Sequence, residues 1–241
     1  MSSLLLVRHG QASVNGPDYD VLSPLGAEQA RALGRRWAAE NREGRLAIDA
    51  IYLGPQRRHA QTTEHLRAAA ADDGLDLPEG EIVEEMAEID MHTLLAEARK
   101  RVLPTAPDLP EQLAKGELDD VGKTAMRHMI GIFAKMLERW AGGEIFEGVE
   151  PFDDFTARVR RGLTAITRAQ GRGKTVAVVT SGGPICASCH TAMGIPAARA
   201  VELMIMAVNG SVTELVYTES KLSLRRFNDH GFIPPRLVTR I

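Results

Sequence analysis

Leu4-Leu5-Leu6-Val7-Arg8-His9-Gly10 is a short, unbroken apolar run that ends on an arginine, a histidine and a glycine. Such a bounded run suits a strand buried on both faces. The strand then delivers Arg8 and His9 to its carboxyl end, the edge where open α/β sheets bind ligands. A guanidinium offers a fork of donors matched to phosphate oxygens. A neutral imidazole is a nucleophile near neutral pH. The pair therefore predicts a histidine that attacks a phosphoryl group held by an arginine. An Arg-His pair after a strand is more often a surface pair, so the rest of the chain must support the sharper reading.

The 241 residues suffice for one large α/β domain spanning 1–241. Apolar residues make up 44% and charged residues 25%, as in ordinary globular proteins. A formal net charge of −3 gives no electrostatic case for nucleic acid or an acidic membrane surface. Two cysteines do not make an extracellular disulfide framework. The chain shows no signal-like start and no apolar run of bilayer length. The expectation is a cytoplasmic enzyme or binding protein.

Ser23-Pro24 starts a helix, with serine as N-cap and proline at the first helical position. Ala50–Leu53 reads as a second buried strand, ended by Gly54-Pro55, and residues 57–71 as a helix. Ile82-Val83 marks a short strand. Residues 93–141 are mainly helical between prolines, and 152–169 form a further helix. Thr175–Val179 is the clearest buried strand, and a helix runs from Gly182 to about Met193. Residues 212–217 and 222–227 read as two strands joined by a polar turn. This alternation predicts an α/β fold. Its central sheet is mostly parallel, with helices on both faces, a late antiparallel hairpin and a helical insertion at about 89–150 over the pocket.

Three loops follow three of these strands: Arg8-His9-Gly10, Gly54-Pro55-Gln56-Arg57-Arg58 and Ser181-Gly182-Gly183. All should emerge at one sheet edge. Here the chain resembles the histidine phosphatase superfamily, the phosphoglycerate-mutase-like proteins. Arg8 to Asn15 is similar to the family's opening signature, and Leu22 to Ala30 to its first helix start. Residues 54–64, from Gly54-Pro55-Gln56-Arg57-Arg58-His59 to Glu64, are similar to Ser-Pro-Leu-x-Arg-Ala-x-Gln-Thr-Ala-Glu. That alignment selects Arg58 over Arg57 as phosphate ligand. Met86-Ala87-Glu88 sits where the family has Leu-x-Glu, whose glutamate supplies a proton to the leaving group.

The resemblance implies a metal-independent, cofactor-free phosphatase for a phosphorylated small molecule or phosphoprotein. His9 is its nucleophile, Glu88 its acid, and Arg8 and Arg58 its catalytic cations. Phosphate contacts are implied from Arg8, Asn15, Arg58, Ser181 and Gly182. A mutase is less well matched, because Ile89 to Thr93 lacks the Tyr-Gly-Ala-Leu-like run mutases carry.

The departure is Ser181, where the family pattern has a second histidine. A charged hydrogen bond contributes about 1.5–3 kcal/mol and a neutral one about 0.5–1.5. The loss should slow turnover roughly ten- to thirtyfold. On this reading Ser181→His raises turnover, and the alternative function is a phosphate-binding pseudoenzyme. His59 and His92 are possible substitutes. However, successive helical residues point about 100° apart, so His59 and Arg58 are not expected to aim at one point. Cys186-Ala187-Ser188-Cys189-His190 matches a haem-attachment pattern. It is read instead as the start of a packed helix, with the cysteines as small core residues.

Overall fold

The computed structural model describes residues 2–13, 20–109, 111–112 and 118–240. In chain order the elements are β1 (Ser2–Arg8), α1 (Pro24–Arg42), β2 (Ala50–Leu53), α2 (Arg57–Asp72), β3 (Gly80–Ile82) and α3 (Met91–Val102). They continue with α4 (Asp120–Ala141), α5 (Phe152–Gln170), β4 (Thr175–Thr180), α6 (Gly182–Met193), α7 (Ala197–Met206), β5 (Val212–Tyr217) and β6 (Leu222–Asp229). The strands form one mixed sheet in the order β3-β2-β4-β1-β5-β6. β1 to β4 run parallel to their neighbours among themselves, whereas β5 is antiparallel to β1 and β6 to β5.

The apolar run of β1 is continuous because both faces of the strand are covered. Leu4 and Leu6 enter one core with Trp140, Phe155, Leu163 and Ile185 from α4, α5 and α6. Leu5 and Val7 enter the other, with Leu33 and Trp37 of α1 and Leu66 of α2. Each such side chain, fully buried, stabilises the fold by roughly 1.5–3 kcal/mol. Helices therefore lie on both faces of the sheet, as the alternation predicts.

Ser23 caps α1 by accepting from the Gly26 N–H, with Pro24 following it. Asp119 accepts from the Gly122 N–H at 2.6 Å and caps α4. Leu203 to Met206 is only partly core, since it closes α7 with Met204 buried and Met206 exposed. Among the described residues, no helix is long and apolar enough to cross a membrane.

Register places the site. Arg8 of β1 lies opposite Thr180 of β4, and Val179 opposite Leu53 of β2. The loops after these parallel strands thus begin side by side. Backbone bonds then lace the loop starts to β4: the His9 N–H donates to the Thr180 carbonyl at 2.8 Å, and the Gly54 N–H to that of Val179 at 3.0 Å.

Candidate active site

His9 is buried at the sheet edge. Its Nδ1 lies 2.6 Å from the Gly10 carbonyl oxygen. A carbonyl only accepts, so Nδ1 carries the proton and Nε2 keeps its lone pair. Burial, reinforced by the charges of Arg58 and Arg8, holds the His9 pKa well below its ordinary 6.5. The imidazole is thus neutral in the range where a nucleophile is needed. The loop is fixed from two sides. The Gly10 N–H donates to Thr62 Oγ1 at 3.1 Å, and the Asn209 amide donates to the His9 carbonyl at 3.4 Å.

Arg8 ends β1, and its Nη1 donates to the Ala207 carbonyl. Arg58 enters from the first turn of α2. Its Nη1 pairs with Asp20 Oδ1 at 2.6 Å, and its Nη2 donates to Ser181 Oγ at 3.2 Å. Asp20 also accepts from the Arg57 N–H at 2.9 Å, anchoring the helix start. Thr62, one turn on, donates to the Arg58 carbonyl at 2.7 Å. Thr62 and Arg58 thus share a face, as their four-residue spacing implies.

Glu88 reaches the site from the turn after β3. Its Oε2 accepts from the Gly183 N–H at 3.1 Å and its Oε1 from the Ile89 N–H at 3.0 Å. Burial nevertheless raises its pKa above the ordinary 4.5, against those bonds and the charges of Arg58 and Arg8. A Cβ at position 183 would lie 2.0 Å from Glu88 Oε1, so a larger residue there would have to displace the Glu88 carboxyl group. Gly182 opens α6, whose N-terminal dipole faces this edge.

The expectation that Arg58 and His59 diverge is wrong. Both reach Ser181 Oγ, with His59 Nε2 at 2.7 Å and Arg58 Nη2 at 3.2 Å. The 100° step describes where side chains leave the helix axis. A long guanidinium arm can curl back over the helix start to meet a shorter neighbour. His59 is 0% exposed, and its ring centroid lies 5.7 Å from that of His9. Burial and then the Arg58 charge lower its pKa to about 3, so it is neutral at working pH.

Arg8, His9, Arg58, Glu88, Ser181 and Gly182 therefore meet at one edge, while Asn15 and the side chain of His92 lie outside the described residues. Sequence reasoning missed Asp20, Thr62 as support for Gly10, and Asn209. Asp20 falls in a polar loop where nothing marks it as a partner of Arg58. Asn209 lies far along the chain.

Cys186 and Cys189 are free and buried in α6. Burial raises both thiols, Cys189 to about 12, which disfavours the reactive thiolate. Among the described residues, no group of three or more histidine, cysteine, aspartate or glutamate side chains could hold a metal ion.

The family model of the histidine phosphatase superfamily, branch 1, matches residues 4–123 and 93–230. The fold is similar to a phosphoserine phosphatase mutant from Entamoeba histolytica in complex with phosphoserine. Identity is 18%, the TM-score is 0.62, and 97% of this chain and 100% of that one are covered. It is also similar to a phosphoglycerate mutase from Bacillus anthracis, at 17% identity and TM-score 0.61, over 96% of this chain and 94% of that one. A mycobacterial glucosyl-3-phosphoglycerate phosphatase matches at 19% identity and TM-score 0.60, over 94% and 98%. At these identities the likeness shows the fold alone. The chain matches no curated protein sequence.

Proposed function

From the premise that this chain belongs to the histidine phosphatase superfamily, branch 1, we propose that it hydrolyses phosphomonoesters through a phosphohistidine on His9. The observation that carries this reading is the His9 tautomer: Nδ1–H is committed to Gly10, and Nε2 is left unprotonated beside two arginines and the half-buried Glu88 carboxyl group.

His9 Nε2 attacks phosphorus and forms a P–N bond as the P–O ester bond breaks. The departing oxygen takes the proton of Glu88 and leaves as the alcohol. Water then attacks the phosphohistidine, Glu88 accepts its proton, and breaking the P–N bond releases inorganic phosphate. Arg8 and Arg58 stabilise the phosphoryl oxygens, as preorganised donors do best where charge develops. Asn15 and the start of α6 at Gly182 complete the phosphate cradle in this proposal, and Ser181 takes part through Arg58. The raised Glu88 pKa suits a group that must hold a proton before releasing it.

Residues 89–150 belong to the same domain in this reading and set which phosphorylated small molecule or phosphoprotein is taken. The phosphatase reading is preferred to a mutase because Ile89 to Thr93 lacks the mutase-like run. A panel of phosphomonoesters, assayed with wild type and His9→Ala, tests the proposal. Release of phosphate by wild type alone supports it. Equal release by His9→Ala contradicts it.

A second reading is favoured by one observation, the serine at 181. It is a phosphate-binding protein with little turnover. Phosphate binding in wild type without hydrolysis of any ester in the panel would select it.

A further inference from the structure

Three positions where the chain departs from its family resemblance are neighbours in space. Gly54 stands where the resemblance has serine, His59 where it has alanine, and Ser181 where it has histidine. His59 Nε2 lies 2.7 Å from Ser181 Oγ. A Cβ at Gly54 would lie 2.6 Å from His59 Nδ1, so the bare glycine leaves room for the ring. An imidazole is therefore present beside the pocket, rooted in α2 rather than after β4.

Its hydrogen bonds can be ordered. Ser181 Oγ accepts from Arg58 Nη2, because a guanidinium only donates. Nδ1 of His59 is buried and makes no hydrogen bond to any described residue, so Nε2 carries the ring's hydrogen bond. In the Nδ1–H tautomer, Nε2 accepts the single Ser181 hydroxyl proton. The chain of donors runs from Arg58 to Ser181 to His59.

His59 is fully buried and does not face solvent, so it acts through Ser181 rather than on a bound ester. An apolar residue would fill the same space without desolvating an imidazole, which ordinarily costs stability. We propose that His59 is a positioning residue: it holds the Ser181 hydroxyl, and through it the Arg58 guanidinium, in place for the phosphoryl group. An imidazole on α2 thereby compensates, through serine, for the one missing at 181. Because it stays neutral, His59 adds no positive charge to the pocket. The proposal rests on the reading that this pocket takes a phosphoryl group.

The test compares wild type, His59→Leu, His59→Met, His59→Gln, Ser181→Ala and His59→Leu/Ser181→Ala. Three quantities are read: p-nitrophenyl phosphate turnover, orthovanadate binding and thermal unfolding. Leucine and methionine fill the space without the bond, whereas glutamine can restore it. His59→Leu and Ser181→Ala should each weaken vanadate binding about tenfold and lower kcat by a similar factor, with unfolding little changed. The double variant should be no worse than Ser181→Ala, since that substitution already breaks the His59 bond together with the Arg58 one. His59→Gln should recover most of the loss.

Wild-type kcat and vanadate affinity in His59→Leu would overturn the proposal, as would additive losses in the double variant. If neither apolar variant folds, His59→Ala decides, because it removes the bond from the histidine end and leaves the Arg58–Ser181 bond in place: wild-type kcat and vanadate affinity there would overturn the proposal. Vanadate binding without turnover in wild type would sink hydrolysis but leave this proposal to the binding data. Absence of vanadate binding in wild type would overturn both.

Discussion

At the scale of single residues, His9 and Glu88 are displaced in opposite directions by the same burial. The working form needs His9 deprotonated and Glu88 protonated. The acid limb of the kcat/KM profile should therefore lie below pH 6.5, and the basic limb above the ordinary glutamate range. Glu88→Gln should cost roughly 10²–10⁴-fold on an alkyl phosphate, where the leaving oxygen needs a proton. It should cost far less on p-nitrophenyl phosphate, whose leaving group needs little help. Equal losses on both would remove Glu88 from the acid role. Ser181 reverses one expectation read from the sequence. Its neighbourhood already holds the His59 ring, so Ser181→His should lower turnover, not raise it, because two imidazoles would compete for one space. Arg8 and His9 were placed at the site by the strand end before them, whereas Arg58 and Glu88 were selected only through the family resemblance. The His59–Ser181 bond was not legible, since helical angle alone says nothing of how far a neighbouring side chain can bend.

At the scale of elements, α2 is the part that carries the unusual chemistry. Its start is tied by Asp20, its first turn presents Arg58 and His59, and its second supports the His9 loop through Thr62. Gly54, just before it, is sterically committed. A Cβ there would lie 2.5 Å from the Met86 carbonyl oxygen as well as against His59. Gly54→Ala should destabilise the protein by about 1–3 kcal/mol, as overpacking does, measured by urea unfolding. Unchanged stability would mean the contact relaxes freely. If Gly54, His59 and Ser181 form one unit, Gly54→Ser/His59→Ala/Ser181→His should be more active than Ser181→His alone. An equally inactive triple variant would separate the three sites. The start of α1 was legible from Ser23-Pro24, because capping is local chemistry. α7 was not read as a helix from sequence, since its ten residues sit on a short apolar run that suits buried helix and core strand alike.

At the scale of the whole molecule, strand-helix alternation revealed the class of sheet but not its order, which long-range packing decides. What the order provides is adjacency: β2, β4 and β1 lie side by side and deliver their loops to one edge. Collecting histidines there affects stability. His9 and His59 have folded pKa values below 6.5, His59 about 3, so the unfolded chain takes up their protons first as pH falls. Stability should decline below about pH 6.5, at about 1.36 kcal/mol per pH unit for each histidine. Glu88 acts in the opposite sense, because its raised pKa favours the folded state at low pH and loses that contribution as pH rises. Urea unfolding across that range should therefore show a shallower slope in His59→Leu than in wild type; an identical slope would place His59 outside the buried, neutral state. The central claim remains the covalent step on His9. It is tested most directly by brief incubation with a phosphorus-labelled phosphomonoester, quenched without acid, followed by location of the label. The account predicts label on His9 in wild type and none on His9→Ala. Label retained in His9→Ala, or phosphate released by wild type with no labelled protein at any time of quenching, would contradict it.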